Sequence, residues 1–493
     1  MADRARHRTG AAVGGRSCPW RGGAAGVLRL GDVSDTPEQN PYTVRPSEDI
    51  DDDLRAVEAE LSGRWPETKL EPSLTRIDEL MDILGQPHRS YPSIHITGTN
   101  GKTSTARMIE QLLMTFELRT GRYTSPHVES VTERISLDGA PIAGDRFVET
   151  YRDIDPYVRM VDERQPVPMS FFEVLTGMAY AAFADAPVDV AVVEVGMGGS
   201  WDATNVIDAA VSVITPIGLD HTDRLGSTTG EIAVEKSGII KPGATAVVAQ
   251  QPLDAAETIL RRAVEVDATV AREGMEFGVI RREVAVGGQL VTLRGLGGHE
   301  YEDLFVPLHG PHQAHNAALA LAAVEAFFGV GGAGGGNLDE DKVRQGFSGV
   351  SSPGRLEVVR RSPTVILDAA HNPHGARATA AAIGEAFGFT KLVGVVGTSG
   401  DKDVSGLLEA FEPVLAEVVI TQNSTHRAMP VDELAALAVE IFGEDRVQVE
   451  PRLDDAIEAA VTLAEEEDLG GAGVLVTGSV ITVGEARLLF GRK

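Results

Sequence analysis

The chain has 493 residues, and its 73 acidic and 44 basic side chains give a formal net charge of -29. This length exceeds one ordinary hydrophobic core and predicts two or three domains. The negative charge argues against a general nucleic-acid binder, because nothing would offset repulsion from the phosphate backbone. The single cysteine, Cys18, cannot form an internal disulfide, and no apolar run reaches the roughly 18 residues needed to span a bilayer. We therefore expect a cytoplasmic protein with no membrane or nucleic-acid partner.

The first segment, residues 1–46, has a composition of its own. Over about its first thirty residues, the arginines from Arg4 to Arg29 face a single acid, Asp3, among many glycines and alanines. A transit peptide is one interpretation, but the segment lacks a clear amphipathic face, and its apolar stretches are too short for a secretory signal. We expect a disordered basic tail or an over-extended start, and we leave 1–46 out of the fold prediction.

A helix is predicted over 47–61, because Ser47 is a suitable N-cap and acidic residues fill the first turn. The next clear element is the glycine-rich motif GTNGKTS at 98–104, which follows a short apolar run and opens a helical pattern over 103–118. A strand, a glycine turn and a helix in this order predict a phosphate-binding loop. Backbone N–H groups and the helix N-terminus attract the anion, and Lys102 reaches the outer phosphates.

The glycines of this loop are closer together than in the usual P-loop. Only Thr99 and Asn100 separate them, where the usual form has four residues. The alternative interpretation is a glycine turn with a chance lysine.

After this loop, apolar runs bounded by glycine alternate with helical patterns. Strands are predicted at 119–123, 188–195, 210–214, 244–249, 365–367, 391–396, 417–421 and 473–476. Helices are predicted at 171–183, 313–328, 341–346, 431–442 and 453–466. This alternation predicts an α/β fold with parallel-rich sheets covered on both faces by helices.

The best candidate for a domain boundary is the small-residue stretch SGVSSPG at 348–354. We expect one long α/β domain over 47–347 and a smaller one over 355–493, joined by this hinge. The glycine run at 331–336 lies between two helical patterns and is interpreted as a loop. Ligand sites often lie in the cleft between two such domains.

Three polar side chains follow predicted strands, where ligands of open α/β sheets collect. Glu194 ends a buried run, and a lone buried acid is costly, so it is a candidate Mg²⁺ ligand; structural hydrogen bonding is the alternative. His221 follows the strand at 210–214, although a lone histidine is usually a surface or core residue. The Ser125 hydroxyl suits a Mg²⁺ shell, but alone it belongs to a proline turn.

Three more residues are candidates with ordinary alternatives. Lys236 fits an ordinary helical lysine as well as a functional one. Beyond the hinge, Arg355 offers a cation to an anionic nucleotide, and Asp368 ends a strand where it could bond ribose hydroxyls. A loop held by Asx-type hydrogen bonds is the alternative for the segment around Asp368.

The motifs, taken together, resemble one family. They are GTNGKTS, TSPHVESVTERI, MSFFE, EVGMGGSWDATN, ITPIGLDHTDRLG, GEIAVEKSGIIKPG, GPHQAHNAALAL, PGRLE and LDAAHNPHG, in this order along the chain. Their order resembles the folylpolyglutamate synthases of the Mur ligase superfamily, which are often also dihydrofolate synthases. The resemblance covers roughly 48–493, and it implies a P-loop ATPase domain followed by a smaller Rossmann-like glutamate ligase domain.

The resemblance implies a nucleotide site and a metal site. ATP would be bound by Gly98, Thr99, Asn100, Gly101, Lys102, Thr103, Asn316, Arg355 and Asp368. Mg²⁺ would be held by Ser125, Glu194 and His221. Lys236 matches the carbamylated lysine of the family, a modification that turns a repelling ammonium into an oxygen ligand. Lys102, Lys236 and His371 are the implied catalytic residues, with His371 facing the cleft.

The resemblance also implies a site for the pterin substrate. Its residues would be Leu74, Thr75, Arg76, Ser170, Phe171, Phe172, Glu173, Trp201 and Asp202. Aromatic and acidic side chains suit a flat heterocycle with hydrogen-bond donors at its edge. One departure is Ser200, where similar proteins commonly carry arginine. If that arginine holds an anionic part of the substrate, this chain differs from those similar proteins in its affinity for the substrate or in its substrate preference.

The implied reaction is ATP-dependent amide formation between L-glutamate and a dihydropteroate or reduced folate carboxylate, by a monomer acting on small molecules. A cell-wall precursor ligase of the same superfamily is one alternative, but such enzymes usually carry a UDP-sugar domain before the P-loop. A nucleotide-switch protein is another, but the base-reading NKxD motif is not found in the sequence.

Overall fold

A computed structural model of the chain describes residues 48–65, 71–331, 336–466 and 471–491. These residues fall in one compact unit, Val44–Lys493. The predicted tail at 1–46 and the predicted N-cap Ser47 lie outside the described residues.

The helices are α1 (Glu48–Ser62), α2 (Thr75–Ile83), α3 (Lys102–Thr115), α4 (Gly144–Arg164), α5 (Phe171–Asp185), α6 (Thr222–Leu225), α7 (Thr229–Ser237), α8 (Leu253–Glu265), α9 (Pro311–Phe327), α10 (Glu340–Ser348), α11 (Pro373–Ala386), α12 (Val404–Phe411), α13 (Val431–Phe442), α14 (Leu453–Glu465) and α15 (Val480–Leu489). The strands are β1 (Ser93–Thr97), β2 (Thr120–Tyr123), β3 (Ile135–Leu137), β4 (Ala140–Pro141), β5 (Val190–Glu194), β6 (Val211–Ile214), β7 (Thr245–Val248), β8 (Thr269–Arg272), β9 (Gly278–Ala285), β10 (Gly288–Arg294), β11 (Glu300–Val306), β12 (Glu357–Arg361), β13 (Thr364–Leu367), β14 (Lys391–Val396), β15 (Glu417–Ile420), β16 (Val447–Val449) and β17 (Ala472–Thr477).

The first sheet has the strand order β4-β3-β2-β5-β1-β6-β7-β8. The six strands from β2 to β8 run parallel, while β3 and β4 add antiparallel pairs at one edge. Along β5, Val190 and Val192 pack into the cluster that contains α3 and α9, whereas Ala191 and Val193 pack into the cluster that contains α4 and α5. Helices on both faces explain why the strand is apolar throughout rather than alternating.

The second sheet has three antiparallel strands in the order β11-β10-β9, and it was not predicted from the sequence. Most side chains of β9 are exposed or half-buried, so this strand lacks the apolar run by which the parallel strands are predicted. The other two strands contribute Val291, Leu293, Tyr301 and Leu304 to the cluster that contains α3 and α9.

The third sheet follows 348–354 and has the order β12-β13-β17-β14-β15-β16. Its strands are parallel except for β12, which pairs antiparallel with β13. One face packs α11, α12 and α13, and the other packs α14 and α15. The predicted α/β class with parallel-rich sheets is therefore confirmed. Among the described residues, no helix combines the length and hydrophobicity that crossing a bilayer requires.

Candidate active site

Four neighbouring parallel strands, β2, β5, β1 and β6, end at the same edge of the first sheet. Ser125 follows β2, Glu194 ends β5, the loop 98–101 follows β1, and His221 follows β6. The fold thus brings together the predicted phosphate loop and the three predicted metal ligands.

The phosphate loop is built on two glycines with positive φ, 143° at Gly98 and 88° at Gly101. A Cβ at Gly98 would overlap the Thr215 hydroxyl, and one at Gly101 would lie 2.6 Å from Asn316 Oδ1. The backbone can therefore take this course only if both positions are glycine. The helix α3 begins at Lys102, directly after the loop.

Two lysines converge on one carbonyl of this loop. Lys102 Nζ donates to the carbonyl oxygens of Gly98 at 3.2 Å and Thr99 at 3.0 Å, and Lys236 Nζ donates to Gly98 at 2.8 Å. Burial lowers the pKa of both lysines. For Lys236 the nearby charge of Lys102 adds to burial, and the pKa falls to about 7.

Glu194 lies beside the first turn of α3 and is only 1% exposed. The Thr103 hydroxyl is 3.0 Å from both of its carboxylate oxygens. Burial raises the pKa of Glu194, and the charge of Lys102 opposes that shift. The site therefore favours a cation near this carboxylate, because burial disfavours its charge.

Asp220 next to His221 joins the first sheet to the third. Its Oδ1 accepts from Lys402 Nζ at 2.9 Å, and its Oδ2 accepts from Asn372 Nδ2 at 3.1 Å. Burial acts to raise the pKa of Asp220, but the charge of Lys402 and the neighbouring histidines outweigh it and hold the pKa well below its usual range. Burial lowers the pKa of His221 to about 4.

The loops of the third sheet form the opposite wall. Asp368 is buried and accepts from the backbone N–H groups of Leu356 and Ala370, each at 3.0 Å. Its Oδ1 also accepts from Thr379 Oγ1 at 2.8 Å, so the carboxylate is held in one orientation. The Arg355 guanidinium donates at 3.1 Å to the carbonyl of its own neighbour.

His371 lies at the junction of the two walls. Its Nδ1 is 3.0 Å from the carbonyl oxygen of Ala369, and burial lowers its pKa to about 4. Because a carbonyl only accepts, the proton of the neutral ring is on Nδ1, and Nε2 is left as an acceptor.

A cavity of about 410 Å³ lies between these walls. Every residue predicted as catalytic, nucleotide-binding or metal-binding lines it. They are Gly98, Thr99, Asn100, Gly101, Lys102, Thr103, Ser125, Glu194, His221, Lys236, Asn316, Arg355, Asp368 and His371.

A second cavity, of about 350 Å³, adjoins the first. Six of the nine residues predicted for the pterin line it: Arg76, Ser170, Phe172, Glu173, Trp201 and Asp202. Leu74, Thr75 and Phe171 are not among its lining residues, and their contact with substrate stays a prediction. Phe171 instead packs under the Arg134 guanidinium, 4.9 Å from its ring centre.

The two carboxylates among the predicted pterin residues, Glu173 and Asp202, already accept hydrogen bonds within the protein. Glu173 accepts from Arg76 Nε at 2.8 Å and from the Ser170 backbone N–H at 2.7 Å. Asp202 accepts from the Met197 and Thr204 backbone N–H groups at 2.9 and 3.0 Å. These bonds fix the wall of the cavity.

Ser200 lines neither cavity. Its hydroxyl donates to the Glu235 carboxylate, directly before Lys236, and its backbone N–H donates to the Glu235 carbonyl at 2.9 Å.

Several residues that line the cavities were not predicted from the sequence. Lys402 lines the second cavity, in the loop after β14, and this strand-end position is the signal that could have found it. His312, His315 and Glu273 line the first cavity, where His315 Nδ1 hydrogen-bonds the Glu273 carboxylate. No sequence signal links Glu273 to His315, because they lie on separate elements.

Comparison with known proteins agrees with this fold and site. Residues 96–324 match the Mur ligase middle domain, and residues 354–480 match the Mur ligase glutamate ligase domain. Both matches place the chain among the Mur ligases. Over 471 residues the chain is 54% identical to the dihydrofolate synthase/folylpolyglutamate synthase of Mycobacterium tuberculosis, covering 91% of this chain and 96% of that protein. The chain therefore belongs to the dihydrofolate synthase/folylpolyglutamate synthase family.

Solved structures give the same result. A crystal structure of Mycobacterium tuberculosis folylpolyglutamate synthase complexed with ADP and AMPPCP superposes with a TM-score of 0.86 at 54% identity, covering 90% of this chain and 99% of that one. An Escherichia coli FolC structure in complex with DHPP and ADP superposes with a TM-score of 0.77 at 30% identity, covering 89% and 97%.

Proposed function

We propose that the chain uses ATP to ligate L-glutamate to the carboxylate of a folate or of dihydropteroate. One observation carries the proposal: the two cavities share a wall, since Ser125, Met197, His221 and His371 line both. A nucleotide bound at the phosphate loop would direct its outer phosphate toward this junction, and a carboxylate substrate in the second cavity would meet it there.

The chemistry requires an activated carboxylate, because hydroxide is a poor leaving group. The substrate carboxylate oxygen attacks the γ-phosphorus, ADP leaves, and an acyl phosphate forms. The amine of L-glutamate then attacks the acyl carbon, the C–O bond breaks, and phosphate leaves. Lys102 and Arg355, both on the nucleotide cavity, offset the negative charge as the two anions approach.

We assign Ser125, Glu194 and His221 as the residues that would hold Mg²⁺. Two oxygen donors and one nitrogen fit a metal that prefers oxygen and keeps several waters. The buried Glu194 carboxylate, whose charge burial disfavours, fits a cation beside it. When bound, Mg²⁺ offsets phosphate charge and orients the outer phosphates.

Lys236 is proposed as the carbamylated residue. With its pKa lowered to about 7, a large share of its amine is neutral at physiological pH and can react with CO₂. Incubation with ¹³C-bicarbonate should give a carbamate signal in the ¹³C NMR spectrum, and Lys236→Ala should remove it. An identical spectrum from the variant would contradict the assignment.

We propose His371 as the group that accepts a proton from the attacking amine. Its Nε2 is the acceptor of a neutral ring, at the junction of the two cavities. L-glutamate would occupy the far end of the second cavity, where Arg427 and Ser479, the N-cap of α15, suit its carboxylates.

For the pterin, Arg76, Phe172 and Trp201 would form the surface against which the heterocycle packs. Glu173 and Asp202 would act chiefly by holding that surface in place, because their oxygens are already hydrogen-bonded.

We further propose that the chain works as two domains, 47–347 and 355–493, joined at 348–354. Side-chain contacts join the two parts, among them the ion pair of Arg487 on α15 with Glu129 at 2.6 Å. Approach of the two domains would exclude water from the acyl phosphate.

An ADP-release assay with L-glutamate tests the function, with dihydropteroate and tetrahydrofolate compared as substrates. We expect ADP release that requires glutamate and at least one of the two substrates, with one ADP for each glutamate added. Activity with a UDP-linked cell-wall precursor and none with either pterin would overturn the proposal. The ratio of the two kcat/KM values gives the preference of the enzyme between dihydropteroate and tetrahydrofolate.

A further inference from the structure

Gly196 lies two residues beyond Glu194, the last residue of β5, and lines both cavities. A Cβ built on Gly196 would lie 2.5 Å from Cζ of the Phe172 ring, and 2.8 and 3.0 Å from its two ε carbons. Non-bonded carbon atoms are most stable at about 3.5–4.0 Å, so the ring occupies the space that a side chain at position 196 would need. The Phe172 ring can therefore hold its place only beside glycine.

Ring packing, and not backbone conformation, is what requires glycine at this position. The φ of Gly196 is outside the left-handed region, unlike that of Gly98 or Gly101, so alanine is not excluded by this angle. The three atoms nearest to the added Cβ all belong to Phe172. A single side chain thus accounts for the exclusion of a larger residue.

The next glycine of the same turn contacts another aromatic side chain of the second cavity. A Cβ on Gly198 would lie 3.0 Å from Cζ2 of Trp201. Phe172 and Trp201 are the two aromatic residues predicted for the pterin that line this cavity. Both side chains therefore pack against glycines of one turn.

The backbone of this turn is held on both sides of Gly196. The Val195 N–H donates to the Ile96 carbonyl oxygen at 2.9 Å, and the Met197 N–H donates to Asp202 Oδ2 at 2.9 Å. Ile96 belongs to a central strand of the first sheet, and Asp202 is buried. Because the turn is fixed in this way, the Phe172 ring is the part that must move if residue 196 becomes larger.

The Phe172 ring lies between the buried core and the second cavity. Its centre is 5.8 Å from the ring centre of Tyr123, which is fully buried, while Phe172 itself is half-buried and lines the cavity. The start of α5 is held by the reciprocal capping bonds of Ser170 and Glu173. A ring displaced by a Cβ at 196 therefore moves into the cavity, by about 1 Å if an ordinary carbon contact is restored.

We propose that Gly196 is a specificity-determining residue for the pterin substrate, because its missing side chain sets how far the Phe172 ring extends into the second cavity. The inference rests on the proposed function, in which Phe172 contacts the pterin. Gly196 acts through Phe172 and does not touch the reacting atoms, so it is a positioning residue. A side chain at this position narrows the space for the heterocycle and leaves the groups around the phosphates in place.

The test is Gly196→Ala, studied with whichever of dihydropteroate and tetrahydrofolate the wild type uses better. We expect the KM for the pterin to rise by about tenfold or more while kcat stays within about threefold of the wild type, because bound substrate and transition state lose the same packing. Calorimetry with AMPPCP bound should show the same loss of pterin affinity without turnover. The affinity for AMPPCP itself should stay within about threefold.

Gly121→Ala is the matched control. Gly121 lies in β2 of the same sheet, its φ is also outside the left-handed region, and an added Cβ would lie 2.5 Å from Cδ1 of the Phe183 ring. Gly121 and Phe183 are buried and line neither cavity. Gly121→Ala should lower the melting temperature and leave the KM for the pterin within about twofold. An equal rise in KM would assign the effect to a general loss of packing and overturn the proposal.

Phe172→Leu removes the ring atoms that the added Cβ would meet. In the Phe172→Leu background, Gly196→Ala should change the KM for the pterin by less than about twofold, because the two residues act through one contact. A tenfold rise in that background would show that the effect does not pass through the ring, and the proposal would fall. Should Gly196→Ala alone not fold, the double variant must fold and bind the pterin as Phe172→Leu does, or the proposal falls as well.

The remaining outcomes separate this inference from the proposed function. A normal KM for the pterin in Gly196→Ala would overturn the role of Gly196 and leave the function intact. A loss confined to kcat and AMPPCP affinity would overturn it too, since Gly196 would then act on the nucleotide. A wild type that binds neither pterin and forms no glutamylated product would instead overturn the proposed function, and this inference with it.

Discussion

The two cavities each contain a buried glutamate, and the two glutamates are bonded differently. Glu194, on the nucleotide cavity, receives its side-chain hydrogen bond from the neutral Thr103 hydroxyl. Glu173, on the second cavity, accepts hydrogen bonds from the Arg76 guanidinium and from the Ser170 backbone N–H. Burial alone does not distinguish them, since they are 1% and 5% exposed. Their partners do distinguish them. Glu173 forms an ion pair with Arg76 and so maintains the cavity wall, whereas Glu194 is hydrogen-bonded by a neutral hydroxyl and feels the charge of Lys102 only at longer range, which suits it to a ligand.

Replacing the nucleotide-side acid should give the largest effect. Glu194→Gln should lower turnover by roughly 10²-fold or more, because it removes the charge that we propose to hold Mg²⁺ at the phosphates. The melting temperature should stay level or rise, since a buried charge has been removed. Steady-state ADP release and calorimetry check both parts, and near-normal turnover would contradict the role given to Glu194.

The opposite pattern is expected on the second cavity. Glu173→Ala leaves the buried Arg76 guanidinium without its carboxylate and should destabilise the protein by about 3 kcal/mol. Melting curves should show the loss, while AMPPCP still binds the folded fraction. Glu71→Ala is the matched control, since Glu71 lines the same cavity but is exposed. An unchanged melting temperature for Glu173→Ala would contradict the structural role that distinguishes Glu173 from Glu194.

Acid should destabilise the nucleotide cavity through its histidines. Burial lowers the pKa of His221, His312 and His371 to about 4, against an ordinary value of 6.5. Between pH 6.5 and 4 the unfolded chain binds more protons than the folded one, so stability falls as the pH drops through that window. We expect the melting temperature to decrease steadily from pH 6.5 to pH 4.5. A constant melting temperature across this range would show that these rings are not neutral in the fold.

The smallest effect is expected at Ser200. Its hydroxyl bonds Glu235 and lines neither cavity, so an arginine there would also pair with Glu235. Ser200→Arg should change kcat/KM for either pterin by less than about twofold. A tenfold change in KM for the folate would instead indicate that an arginine at this position holds an anionic part of the substrate.

The sequence predicted the features that are local in the chain. The glycine loop before Lys102 and the acid at the end of β5 are each visible within a few residues, and the predicted strand at 391–396 coincides with β14. Contacts between distant segments were not predictable. Glu173 meets Arg76 across 97 residues, and Lys402 meets Asp220 across 182, so only the fold shows that these charges are paired.

The antiparallel sheet was missed for a different reason. Parallel strands buried on both faces are apolar throughout, while β9 carries exposed charges such as Arg281 and Glu283 and leaves no such run. Two of the three pterin candidates that do not line the second cavity, Leu74 and Thr75, adjoin a residue that does line it, Arg76, and a linear motif does not distinguish such neighbours.

The strand order of the third sheet bears on how fast this part of the chain can fold. The strand β17 lies between β13 and β14, although more than seventy residues separate it from β14 in sequence. β13 and β14 each pair with Ala472–Thr477 and not with each other, so no strand pairing joins the two halves of the sheet until this strand is in place. Long-range pairing of this kind slows folding, because the loop entropy is lost before the contacts form. The strand β17 is also the last strand in the sequence. Its pairing joins the half-sheet that carries Asp368 to the half-sheet that leads to Lys402.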